Sequence, residues 1–366
     1  MAPKPYFNSA GEVVPLAELM SLERIDARTF RSRVKAYAPT GGENGAYGGH
    51  VYAQSCWAAA QTVPEGMIIH NVTGWFTLGG IPTEHFVYTV HNLRDGGNYC
   101  VRTVTVTQIE EKGVCFTCTC SFKRAESSPF RFQHNLDIKK EYGECLNIAD
   151  HFEHPEMPSQ DSWWFNNVHL PKNPNHFNPL GGLHLRKVNM KSYNDKRAPI
   201  DKRRLMMYTI RGSLPQVPAS VLKQKKPKYS REANLHAIAH IYASDRNSLF
   251  VIGDHLGISA DAKRTASISH TVIFHVGLEE LMFPNEPADR PKNAAPTENV
   301  AGSESAPDPE SKGRKWYMQE VWTDRAEGGR GLHRSRIWDP ETGVHLATTI
   351  QDGLVRFKDD SSPPKL

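Results

Sequence analysis

Residues 48–64 read GGHVYAQSCWAAAQTVP, a run of good helix formers between Gly49 and Gln61 that Pro64 brings to a stop. An extended candidate, Ile25–Tyr37, and a Gly-rich loop precede it. After it come β-rich runs at hairpin spacing, Met67–Leu78, His85–Leu93, Tyr99–Ile109 and Val114–Phe122. They are separated by the turn signals Gly79-Gly80, Asp95-Gly96-Gly97 and Lys112-Gly113. The order is strand, helix, then four strands.

The second half repeats it, with a strand at Leu205–Arg211, a helix from Ala233 to Phe250, and strands at Ala266–Phe274, Trp316–Trp322, Gly331–Trp338 and Val344–Phe357. Local matches fall in the same order: Asp95-Gly96-Gly97 with Glu327-Gly328-Gly329, Lys112-Gly113-Val114 with Thr342-Gly343-Val344, and Val51-Tyr52-Ala53-Gln54-Ser55 with Ile241-Tyr242-Ala243-Ser244-Asp245. The period is that of a duplicated domain, too long for a helical repeat. One long helix before an antiparallel sheet packs best if the sheet curls around the helix, giving an α+β unit. Two such units can join their sheets edge to edge, which protects strands that otherwise invite aggregation. The expected units are 20–123 and 201–358. Residues 124–200, rich in Pro, His and Asn with anchors at Trp163, Trp164 and Phe165, form the interdomain connection. Pro284 to Arg314 carries six prolines and no aromatic residue, which predicts a disordered insertion, and 359–366 a flexible tail.

The length of 366 residues suits two globular units, and 39% apolar residues suffice for a packed core. A net charge of +4 is too small for a dedicated nucleic-acid binder. No apolar run is long enough to span a bilayer, and the opening MAPKPYFNSAGEVV lacks the apolar stretch of a secretory signal. Cys100, Cys115, Cys118 and Cys120 lie in strand-like segments, which suits reduced thiols. Cys115-x2-Cys118-x-Cys120 is not read as a zinc site, because alternation along a strand turns Cys115 away from the other two and no second ligand pair stands nearby.

Six segments occur together in order: AYGGHVYAQSCWAAAQTVP (46–64), LRDGGNYCVRTVTVTQ (93–108), CTCSF (118–122), YASD (242–245), SISHTVIFH (267–275) and TTIQDGLVR (348–356). The chain thereby resembles the type II acyl-CoA thioesterases, the double hot-dog enzymes of bacteria and of eukaryotic peroxisomes. The resemblance implies hydrolysis of a fatty or other acyl-CoA, with no cofactor, since CoA is part of the substrate. It also implies that Asp245, Ser267 and Gln351 are the residues that activate a water, and that His70, Gly48 and Gly49 contact substrate. A homo-oligomer is expected. Thioester hydrolysis needs an activated water and a polarised carbonyl but no strong acid, because the leaving thiol has a pKa of about 8.5. Of the three, only Asp245 can take up a proton near neutral pH, while Ser267 and Gln351 can hold the water and the oxyanion.

Alone, Asp245 would read as a helix cap and the other two as cross-strand polar pairs. Their coincidence in three matching blocks makes them a set. The first unit has Ser55 in the position of Asp245 and Ser121 in that of Gln351, so one working site per chain is expected. The family's second His is replaced by Thr73, and its Arg-Pro after the Phe-His pair by Val276-Gly277. Lys223, Lys225, Lys226 and Lys228 are the densest basic run and a candidate contact for CoA phosphates. The rival enzyme, a double hot-dog enoyl-CoA hydratase, needs a His where Phe250 stands and a Pro where Ser248 stands. A non-catalytic acyl-CoA binding protein is the rival of another class. The chain's Pro364-Lys365-Leu366 is close to the Ser-Lys-Leu tripeptide of peroxisomal import, which implies an import-receptor partner and a peroxisomal location, with the cytoplasm as the alternative.

Overall fold

The computed structural model describes residues 13–35, 38, 45–246, 248–285 and 313–358. The insertion read over 284–314 and the tail read over 359–366 therefore lie almost wholly outside the described residues.

Twelve strands form one antiparallel sheet. They are β1 (Leu22–Arg24), β2 (Thr29–Ser32), β3 (Ile68–Phe76), β4 (Val87–Asp95), β5 (Tyr99–Thr107), β6 (Val114–Lys123), β7 (Leu183–Lys187), β8 (Arg204–Ile210), β9 (Ala262–Phe274), β10 (Tyr317–Glu327), β11 (Arg330–Trp338) and β12 (His345–Phe357). The order across the sheet is β1-β2-β4-β5-β6-β3-β9-β12-β11-β10-β8-β7, so the two halves join at β3 and β9, with Gly74 opposite His270 and Trp75 opposite Ser269. Two central helices, α1 (Gly48–Ala60) and α2 (Asn234–Ser244), lie inside this sheet, and a third, α3 (Phe250–Leu256), covers its far end. Every residue of α1 from Gly49 to Ala60 is buried, and so is every residue of α2, as befits helices enclosed on all sides. The helices touch directly, with the Tyr47 hydroxyl donating to the Tyr242 carbonyl at 2.7 Å. A methyl on Gly49 would lie 2.8 Å from the same carbonyl, so only glycine admits this approach.

The structure departs from the sequence reading in three places. Within the first extended run, read over 25–37, the described residues form only the short strand β2, with β1 just ahead of it, because the Asp26 carboxylate accepts from the Arg28 and Thr29 amides at 2.7 and 2.8 Å and turns the chain. The helix read from Ala233 to Phe250 stops at Ser244, and α3 begins only at Phe250. The interdomain connection is more than a wrapping. Its residues 183–187 form β7, the edge strand beside β8. Its Ile138, Tyr142, Leu146, Val188 and Met190 pack with Trp316, Met318 and Trp338 in a second core. No helix among the described residues is long and apolar enough to cross a membrane.

Candidate active site

The end of α2 and a fault in the β9–β12 pairing build the site. Asp245 caps α2 with helical backbone angles (φ −83°, ψ −5°) and is 7% exposed. Gln351 on β12 stands opposite His270 on β9, and further along Asp352 pairs with Ser269 but Gly353 pairs with Ser267. Ile268 is the extra residue of a β-bulge. In an unbroken ladder Ser267 would face away from Gln351; the bulge slips the register by one and turns Ser267 to the helix side.

The three residues meet. The Gln351 Nε2 donates to Asp245 Oδ1 at 2.6 Å and to Ser267 Oγ at 2.6 Å. A carboxylate accepts only, so the amide must present its NH₂ to Asp245, and both of its protons are then in use. Gln351 is fully buried. On the same carboxylate oxygen, His270 Nδ1 stands at 3.5 Å, too far for a good hydrogen bond and within ion-pair reach. The other ring nitrogen, Nε2, is 3.3 Å from Ser244 Oγ, and the His270 carbonyl accepts from the Tyr52 hydroxyl at 3.0 Å.

With Oδ1 engaged, the second oxygen of Asp245 faces the start of α1. A methyl built on Gly48 would lie 2.8 Å from Asp245 Oδ2 and 3.0 Å from the Phe76 ring. The first N–H groups of a helix have no acceptor within it and carry its partial positive charge, so the carboxylate and this helix end bound a space suited to a developing oxyanion. Phe76, Phe116 and Tyr52 form its apolar flank, with ring centroids 4.8 Å apart for Phe76–Phe116 and 5.7 Å for Tyr52–Phe116. Behind Gln351, His333 pairs with it across β11–β12 and is buried. Burial, then repulsion from His270, holds that imidazole well below its ordinary value and so neutral.

The structure thus brings Asp245, Ser267, Gln351, Gly48 and Gly49 to one place. His70 is elsewhere. It lies toward the other end of β3, with Nε2 2.9 Å from Ser121 Oγ and its ring edge on Tyr99 at 5.7 Å. Burial, then Lys123, lowers its pKa. Among first-unit counterparts, Ser55 donates back to the Val51 carbonyl at 2.6 Å, and Ser121 is the partner of His70. Asn234 at the start of α2 accepts from the Ile69 amide at 2.9 Å and donates to the Met67 carbonyl at 3.0 Å. The lysine run also sits at that end, where the Gly66 amide donates to the Tyr229 carbonyl at 2.8 Å. His270 and Phe76 were not singled out from sequence. His270 lay within the quoted SISH block, and the bulge that gives it meaning leaves no mark in composition.

Residues 35–123 match the family model of the acyl-CoA thioesterase N-terminal domain. The acyl-coenzyme A thioesterase 8 of Homo sapiens is 22% identical over 96% of this chain and 92% of its own. The acyl-CoA thioesterase 2 of Haemophilus influenzae is 23% identical over 94% of this chain and 98% of its own. The peroxisomal acyl-coenzyme A thioester hydrolase 1 of Saccharomyces cerevisiae is 30% identical over 25% of this chain and 26% of its own. Among solved structures, an acyl-CoA thioesterase II, TesB2, from Mycobacterium marinum superposes with a TM-score of 0.58 at 21% identity over 95% of this chain and 99% of the other. A protein described as having a hot dog fold, from Alicyclobacillus acidocaldarius, reaches 0.59 at 15% identity over 94% and 98%. The fold is a double hot-dog.

Proposed function

We propose that this chain, a double hot-dog protein that carries the acyl-CoA thioesterase N-terminal domain, hydrolyses acyl-CoA to a free acid and CoA. The observation that supports it most is the convergence of Asp245, Gln351 and Ser267 under the first turn of α1. In this reading a water between Asp245 Oδ2 and the thioester carbonyl carbon loses its proton to Asp245 as it attacks. Gln351 fixes the carboxylate through Oδ1 and keeps Oδ2 as the basic atom. The Ser267 oxygen accepts from Gln351, which leaves its own proton for the water or the carbonyl oxygen. The N–H groups at Gly48 and Gly49 receive the charge that develops on that oxygen. CoA leaves as a comparatively stable thiolate, so the site has no need of a second strong acid. His270 acts through Asp245, as a positioning residue on the same oxygen that Gln351 holds.

The test is release of free CoA thiol from a panel of acyl-CoAs, compared between the native protein and Asp245→Asn. Turnover that depends on Asp245 supports the reading; the absence of release with every acyl group would make the chain a binding protein. We infer peroxisomal action, for which the name of the yeast relative speaks. A fluorescent protein fused ahead of residue 1 should give punctate signal that turns diffuse without Leu366, and diffuse signal from the intact chain would place it in the cytosol.

A further inference from the structure

The Gln351 amide spends both protons of Nε2, one on Asp245 Oδ1 and one on Ser267 Oγ. Its carbonyl oxygen, Oε1, is buried and accepts from no donor among the described residues. Native folds leave few buried acceptors in that condition, because each forfeits its bond to water without replacement.

The sheet order sets a donor beside it. On the adjacent strands β9, β12 and β11, His270, Gln351 and His333 stand directly opposite one another, so the amide has an imidazole on either side. Residues opposed in this way have Cβ atoms roughly 5 Å apart. His270 is committed elsewhere, with Nδ1 3.5 Å from Asp245 Oδ1 and Nε2 3.3 Å from Ser244 Oγ. His333 is not. It is fully buried between the half-buried Leu332 and the exposed Arg334, so its ring faces the interior with Gln351. Neither of its ring nitrogens has a hydrogen-bond partner among the described residues. The ring is neutral, and a neutral imidazole offers one N–H in either tautomer. An acceptor without a donor and a donor without an acceptor thus sit on paired positions of two neighbouring strands. They are out of direct hydrogen-bond range, a separation that one bound water spans.

We propose that His333 is a positioning residue of this site: its N–H holds Gln351 Oε1 through one bound water and so keeps the amide NH₂ turned to Asp245. The proposal rests on the thioesterase reading. The need for it arises in mid-reaction. While Asp245 is ionised, its charge alone keeps the amide nitrogen towards it. Once Asp245 has taken the proton of the attacking water, that charge is gone, and its O–H can donate to a flipped Oε1 as well as its carbonyl can accept from Nε2. A donor fixed on the far side of the amide removes the flipped arrangement, and Asp245 regains its working geometry at each turnover.

His333→Leu deletes the N–H and keeps an apolar side chain in its place, and His333→Gln keeps a donor. With acyl-CoA as substrate, His333→Leu should lower kcat about tenfold and leave KM nearly unchanged, and His333→Gln should recover most of the loss. The melting midpoint of His333→Leu should hold or rise, because an unpaired polar group has left the interior. In a Gln351→Ala background His333→Leu should cost nothing further, since it acts through that amide. A crystal structure of the native chain should show a water between the His333 ring and Gln351 Oε1. Native kcat in folded His333→Leu would overturn the proposal, as would an equal loss in the Gln351→Ala background, or an Oε1 held by another donor in the crystal. If the native chain hydrolyses no thioester, the thioesterase reading falls, and the crystal still decides whether His333 holds the amide.

Discussion

The amide of Gln351 donates to the carboxylate of Asp245 at 2.6 Å across 106 residues of chain. It spends its other proton on Ser267, so Gln351 fixes both partners and is itself fixed by neither alone. Gln351→Glu should therefore do more than remove a contact. It places a second carboxyl against Asp245, and two buried carboxyls this close retain one proton between them. That proton must be lost before Asp245 can act as base, so the acid limb of kcat should move to higher pH by about one to three units. Gln351→Ala should lower kcat without this displacement. Identical pH profiles for the two variants would exclude the proposed role of the amide.

Asp245→Asn should reduce kcat by about 10² to 10⁴, the usual effect of losing one general base. The carboxamide keeps the shape of the side chain at the end of α2, so the thermal midpoint should change by only a few degrees. Near-native turnover by the folded variant would remove Asp245 from the mechanism.

Gly48→Ala separates stability from chemistry. Alanine favours a helix over glycine by about 1 kcal/mol, so the midpoint should hold or rise. The added methyl, 2.8 Å from Asp245 Oδ2 and 3.0 Å from Phe76, must displace the carboxylate or the ring. A displacement of this kind can cost about 100-fold in rate. A variant both as stable and as active as the native chain would show that α1 does not approach the reacting atoms.

The parts of this site that sequence made legible are those with local signals. Period-two runs between Gly-rich turns gave most strands, and the residue blocks 242–245, 267–275 and 348–356 gave Asp245, Ser267 and Gln351. What escaped depends on contacts distant in sequence. β7 is only five residues long, LHLRK, and is buried from Leu183 to Arg186, so it lacks the alternation that marks a half-exposed strand. The break after Ser244 has neither Gly nor Pro to announce it; its only local signal is Asp245, Asn247 and Ser248, residues that favour caps and turns over helix interiors. The bulge at Ile268 is written in the register of two strands some 80 residues apart. His70 misled for the converse reason: its block resembled a pocket segment, but its place on β3 puts it against Ser121.

Buried histidines should make the fold sensitive to mild acid. His240 accepts from the Tyr208 hydroxyl at Nδ1, 2.6 Å away, and donates from Nε2 to the Leu281 carbonyl at 3.0 Å, a pattern that only the neutral ring can make. Burial above all pushes its pKa down to about 3. Burial likewise lowers His236 and His50 to about 4. In the unfolded chain each returns to about 6.5, so below that pH the unfolded state binds more protons than the folded one. The stabilisation is complete above about pH 6.5 and is lost as pH falls from there towards 4, at roughly 1.4 kcal/mol per pH unit for each group. Carboxylates held low by ion pairs, such as Asp161 beside Arg204 and Lys187, respond only below about pH 4 and do not blur this window. Calorimetric melting from pH 7.5 to 5 should show a steadily falling midpoint, with roughly seven protons taken up on unfolding at pH 5, because burial lowers His184, His255, His333 and His345 in the same way. A midpoint that stays level between pH 7 and 5 would mean that these rings are hydrated or already charged in the fold.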